Sequence, residues 1–332
     1  FKEKKNQLSS MFQPFVQRYY EKMGWDYPED KKTDPLVTVQ GGLGTSGERL
    51  RLTKDFKMDM TGWASPFLLV PEVTAVDSST RELLQKSKAE DFYISDVSPL
   101  GVPFNNLRNS GSEIYTKERA NTGKPGSPCP KGYLMLNTEF SGKPLCTASS
   151  KYQRRKLDEI GRDPELNGKA GAVREDIINK SCICHHLGNA ALISLGLIDE
   201  KKAPQSICPG PNTAWFKGTY SLKEMVDHIY GRTGTIVPNE RPHVFANEVV
   251  MYVDYFKKLI DRGVKTVKDI EYLKTFKENL EKGMDYCLEI SKKLPYPQEN
   301  LDSIPACVDK QRDRLNLLYN TLMEDPNQPV LL

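Results

Sequence analysis

The residues with the most chemistry in this chain are its cysteines. Cys182-Ile183-Cys184-His185-His186 packs four soft or borderline metal ligands into five residues. Cys146 lies in Pro144-Leu145-Cys146-Thr147-Ala148, and Cys208 in Ser206-Ile207-Cys208-Pro209-Gly210-Pro211. Each falls at a predicted element boundary, where a thiolate can meet backbone N–H donors. Together Cys146, Cys182, Cys184 and Cys208 satisfy the ligand count of a tetrahedral zinc ion or an iron–sulfur cluster, and His185 or His186 could replace one thiolate. A Cys-x-Cys pair with its other ligands far away in sequence fits a site assembled by the fold better than a compact zinc module. That favours iron–sulfur, with zinc as the alternative. The competing reading is four free thiols that pack, since cysteine is among the most buried residue types. Cys287 sits on a helical apolar stripe and reads as core; Cys129 and Cys307 carry no assignment.

A second candidate is the glycine turn Gly41-Gly42-Leu43-Gly44-Thr45-Ser46. It follows the β-branched run 36–40 and precedes a helix whose start is marked by Thr45 and Glu48, spaced as a capping box. A strand ending in glycines before a capped helix is a phosphate-binding arrangement: the backbone approaches closely, and the helix N-terminus supplies N–H groups and a favourable dipole. Gly41, Gly42, Gly44 and Thr45 are therefore candidate ligands for FMN or another phosphate-bearing molecule. Neither the dinucleotide Gly-x-Gly-x-x-Gly pattern nor the Gly-Lys-Ser/Thr of a P-loop can be laid on them. A plain tight turn feeding a helix is the bland alternative.

Residues 36–70 resemble the phosphate-binding strand–loop–helix–strand unit of flavin-dependent (β/α)8-barrel oxidoreductases of the nitronate monooxygenase type. The resemblance implies that Gly41, Gly42, Gly44 and Thr45 sit at the FMN phosphate, with Gly62 nearby. It covers only about a tenth of the chain. A late barrel strand also needs six earlier β/α units, whereas a single helix precedes Leu36.

Third, 98–108 joins a rigid Ser-Pro-Leu-Gly-Val-Pro turn to Asn105, Asn106 and Arg108. Amides and an arginine on a loop can orient an anionic or amide-bearing substrate, although amides more often cap turns. A nucleophilic cysteine would need a nearby base. His185 adjoins Cys184 in sequence only, while His228 and His243 read as structural. No residue is assigned as catalytic.

The elements that must hold these groups read as an α/β N-terminal half and a mostly α-helical C-terminal half, divided as 1–148 and 149–332. In the first, helices are expected at 3–23 (with Pro14 marking a kink or a late start), 45–56 and 79–89, with apolar runs at 36–40, 67–70 and 92–95 as strands. The Gly/Pro-rich stretch 96–130 reads as a long loop. In the second, helices are expected at 149–161, 172–181, 186–196, 221–230, 243–262, 266–293 and 309–323.

Composition sets the outer limits. The 332-residue chain is 38% hydrophobic and 27% charged, enough for a core with an ordinary surface. A net charge of +3 gives no global footprint for nucleic acid or an anionic membrane, and the basic run 151–156 reads as a solvated helix face. No apolar run reaches the ~18 residues of a membrane span. Seven irregularly spaced cysteines point to a reducing, cytoplasmic setting rather than a disulfide framework. The start at Phe1 suggests processing or a missing N-terminal domain. The expectation is a metal-thiolate oxidoreductase, or a subunit of one, serving a small-molecule substrate or an electron-transfer partner. The alternative is a non-catalytic docking region of a larger protein, with structural cysteines.

Overall fold

The computed structural model describes residues 4–29, 36–95, 104–129, 131–140, 142–162, 170–261 and 266–324. The chain divides into two compact units, one of Phe1–Trp63 with Val226–Leu332, the other of Ala64–Met225. These boundaries differ from a division at 148/149, which falls inside the second unit.

In the first unit, α1 (Lys5–Met23) is continuous through Pro14. Strand β1 (Thr38–Gln40) leads through the glycine turn to α2 (Ser46–Lys54) and on to β2 (Met60–Gly62), which pairs with β1 in parallel, Val39 opposite Thr61. The strand–helix–strand alternation read from 36–62 is therefore formed.

The second unit holds α3 (Ser78–Lys86), the antiparallel pair β3 (Phe92–Ser95) and β4 (Phe104–Leu107), α4 (Gly111–Asn121), α5 (Ser150–Ile160), α6 (Ala170–Ile178) and α7 (Ile183–Ser194). The run 67–70, expected as a strand, instead belongs to a 3-10 turn, Ser65–Leu69. Pro66 at its first positions presets the helical φ, and Leu69 and Val70 are fully buried without a ladder. Of the expected loop 96–130, residues 96–103 and 130 lie outside the described residues. The remainder contains β4 and α4, the latter capped by Ser110, whose hydroxyl accepts the Glu113 N–H at 3.3 Å. Helix α8 (Leu222–Tyr230) runs across the division in the chain.

The first unit resumes with α9 (Val244–Asp261), α10 (Val267–Ser291) and α11 (Ser303–Met323). Their stripes make one core: Val249, Val253 and Phe256 meet Leu273, Leu280 and Met284 from α10 and Ile304, Val308 and Leu315 from α11. Cys287 is buried in this core. Helix α11 starts six residues before the expected 309 because Pro305 falls in its first turn, where no backbone N–H is needed. Among the described residues no helix is long and apolar enough to cross a membrane.

Buried charge ties α2 to the C-terminal segment. The Glu48 carboxylate accepts from the Gly44 N–H at 2.8 Å, the Val244 N–H at 2.7 Å and the Arg241 guanidinium at 2.6 Å. Arg51 grips both oxygens of Glu299 at 2.8 and 2.7 Å, and His243 approaches the same carboxylate at 3.1 Å. Burial opposes ionising Glu299, but His243, Arg51 and the Tyr296 N–H overcome it and bring its pKa down to about 2. A carboxylate depressed in the folded state stabilises fully above its unfolded value and loses that contribution as pH falls toward the folded one. Glu299→Gln removes the buried carboxylate that Arg51 grips and leaves it only the partly exposed Asp55, 2.7 Å away, so it is expected to cost roughly 3 kcal/mol at pH 7 in urea denaturation. The gap from wild type should narrow as pH falls from 4.5 toward 2; a gap constant over that window would contradict this account.

Candidate metal centre

Four cysteines of the second unit line one cavity of about 230 Å³: Cys129, Cys146, Cys182 and Cys184. Three chain segments deliver them, each fixed locally. Cys129 follows a backbone bridge in which the Ser127 N–H donates to Ala148 O and the Ser150 N–H to Ser127 O, both at 2.9 Å. Gly126 makes that approach possible. It has φ +69°, and a Cβ there would lie 2.7 Å from the Ser149 backbone. Cys146 follows a second bridge, in which Asn137 and Leu145 exchange N–H···O bonds of 3.0 and 2.7 Å. Cys182 is the N-cap of α7 and Cys184 lies in its first turn. The cavity also touches Ser149, the N-cap of α5. Two helix N-termini therefore border it, and each favours negative charge.

Burial raises the pKa of Cys146, Cys182 and Cys184, and neighbouring cysteines raise each further. Thiolate-favouring groups oppose this. The Ala148 N–H faces the Cys146 sulfur, and the His185 N–H and Ser127 hydroxyl face Cys182. The Cys182 contact is looser than a formal helix cap. Lys131 acts in the same sense on Cys184, and Lys143 and Lys151 stand at the cavity wall. These are free thiols, held in an environment suited to sulfur anions but costly for several uncompensated ones. Among the described residues no three His, Cys, Asp or Glu side chains converge as they would around a single ion. The thiols border the void rather than close it.

Relative to the set read from sequence, Cys146, Cys182 and Cys184 come together, whereas Cys208 does not join them and Cys129 takes its place. Cys208 is exposed, and its sulfur meets the Asn105 backbone N–H. Its segment is pinned elsewhere, by the Ser206 N–H on His186 O at 3.2 Å and the Gly210 N–H on Ser65 Oγ at 2.8 Å. Neither histidine of the Cys-Ile-Cys-His-His run lines the cavity. His186 is buried, with Nδ1 2.6 Å from Ser112 Oγ and Tyr115 edge-on to its ring.

The glycine turn is committed to its own helix. Glu48 takes the Gly44 N–H, so the carboxylate at this helix start belongs to the chain. Thr45 accepts the Glu48 N–H at 3.3 Å, His228 Nε2 contacts Gly44 O at 2.9 Å, and Arg241 donates to Gly42 O at 2.7 Å. A Cβ on Gly44 would lie 2.1 Å from that guanidinium, which is why glycine stands there. Gly41 and Gly42 both adopt positive φ. A phosphate at this turn would have to displace the Glu48 carboxylate.

Asn106 is buried, donating to Tyr93 Oη at 2.9 Å and accepting the Leu107 N–H at 2.9 Å. Arg108 stacks 3.9 Å from the Tyr93 ring centroid and lies 3.6 Å from Glu113. Asn105 is half-buried in β4. Asn106 and Arg108 thus brace the β3–β4 hairpin against α4.

No family model matches the chain, and no curated protein matches it.

Burial, with a smaller contribution from His185, lowers the pKa of His186 from 6.5 to about 4. The unfolded chain then binds the extra proton between those values, so folding stability falls as pH drops through that window. From pH 6.5 to 5 the loss should be about 2 kcal/mol. Because burial lowers His228 as well, the test is the difference between wild type and His186→Gln in urea denaturation at the two pH values. Identical slopes would exclude the buried neutral imidazole as their source.

Proposed function

We propose that Cys129, Cys146, Cys182 and Cys184 are the four ligands of an iron–sulfur cluster, making the chain an electron-transferring oxidoreductase or a subunit of one. The observation that carries the reading is the shared cavity: four thiols from three segments border a single void. A zinc ion would hold four sulfurs at about 2.3 Å and leave no space between them. A cluster needs room for an inorganic core and brings each sulfur to a different iron. Two helix N-termini, polarised N–H groups and cavity-lining lysines offset the net negative charge of a thiolate-ligated centre, and hydrogen bonds to sulfur are among the means by which proteins set a cluster's potential. Seven free cysteines suit a reducing compartment such as the cytoplasm.

A second reading is a non-catalytic docking region whose cysteines merely pack. What favours it is α1, whose Met11, Phe12, Phe15 and Tyr19 are all more than half exposed.

The deciding experiment is anaerobic purification and reconstitution with iron and sulfide, followed by metal analysis and a visible spectrum. Wild type should show broad absorbance near ~400 nm with stoichiometric iron. Cys129→Ser should lose most of that absorbance while Cys208→Ser keeps it, a contrast that sequence spacing alone would invert. Zinc alone would replace the cluster with a structural ion. A colourless, metal-free, folded protein would sink the proposal and leave the docking reading.

A further inference from the structure

Two of the residues lining the cysteine cavity, Lys143 and Lys151, are exposed, as is Tyr133 at 72%. The cavity that the cysteines line is therefore bordered by exposed residues. Lys151 begins an i, i+3, i+4 row on α5 with Arg154 and Arg155, which places all three on one helix face, and both arginines are exposed. Lys131 is exposed as well and lies 6.0 Å from the Tyr133 ring centroid. An exposed aromatic at the mouth is thus surrounded by cations from three segments. The patch is also bounded. Farther along α5, Lys156 is neutralised by Glu139 and Glu159, and Asp158 is exposed.

We propose that this face is the docking surface for an acidic one-electron carrier protein that delivers electrons to the cluster. The inference rests on the four-cysteine reading and names the partner of that site. In the step, the carrier gives up one electron and the cluster gains it, with no bond made or broken. Weak redox encounters use small interfaces with a charged rim, and complementary charge there acts chiefly on the rate of association. A nucleic acid would call for a longer cationic track, and the acidic residues beyond Arg155 interrupt one.

The test compares wild type with Arg154→Glu/Arg155→Glu, two changes outside the cavity lining, so iron content and absorbance should be unchanged. Photoreduced plant-type ferredoxin serves as the acidic carrier and dithionite as the small reductant, both followed by stopped flow. Wild type should be reduced by ferredoxin at a rate that falls steeply with salt, and the double variant at least about tenfold more slowly at low salt. Both proteins should react equally with dithionite. A variant reduced by ferredoxin as fast as wild type would overturn the docking surface while leaving the cluster intact, as would tighter binding of wild type to duplex DNA than to ferredoxin. If no cluster assembles, the four-cysteine reading fails separately, and calorimetric titration with oxidised ferredoxin judges the surface. Salt-sensitive binding that the variant loses would support it, and no binding would overturn it.

Discussion

The first unit depends on buried charge more than on any strand. Glu48 and Arg51, one turn apart on α2, each meet a partner far along the chain: Arg241, 193 residues on, for the former and Glu299, 248 residues on, for the latter. All four side chains are almost completely buried. Replacing such pairs with well-packed apolar residues is often neutral, but removing one member strands a charge in a medium that cannot solvate it. The pairs therefore act as a register device. Only one placement of α2 against the 238–303 segment satisfies both carboxylates, the Gly44 and Val244 N–H groups and His243 together. The glycine turn follows from this: Gly44 is glycine because the Arg241 guanidinium occupies the space of a side chain.

The cysteine site is built on a different principle. Its four cysteines come from three separate segments of the second unit. They are delivered by short backbone devices, two bridges and one helix start, each placing a thiol at the edge of the same void. Burial without a counter-charge makes several thiolates unfavourable there, whereas the surrounding dipoles and lysines favour them. Burial is the larger effect, so the neutral thiol is the favoured form of Cys146, Cys182 and Cys184.

Much of the helical pattern was legible because periodicity and caps are local. Thr45 and Glu48 marked α2 correctly, although Glu48 reaches past Thr45 to the Gly44 N–H. The misses have physical causes. Ser110-Gly-Ser-Glu113 is a capping signal of the same kind, hidden by the glycines and prolines around it. Pro305 looked like a stop but fills a position that asks nothing of its nitrogen. Three of the four cysteines that line the cavity, Cys146, Cys182 and Cys184, belong to the set read from sequence. The Cys-x-Cys pair announces itself, but the choice between Cys129 and Cys208 turns on the Ser127–Ser149 bridge, a contact across a loop that no spacing encodes. Asn106 and Arg108 illustrate the converse: side chains with binding chemistry that also brace a hairpin.

The division of the first unit between the two ends of the chain bears on how it is made. Its strand–helix–strand start leaves the ribosome early, yet Glu299, the partner of Arg51, is 248 residues further on. At about 5–20 residues per second that interval lasts tens of seconds or less, during which Arg51 has only Asp55 as a counter-charge and Glu48 waits for Arg241. The second unit is contiguous and can close as soon as Met225 emerges. The ion pairs to Arg241 and Glu299 can therefore form only after the whole of the contiguous second unit has been synthesised.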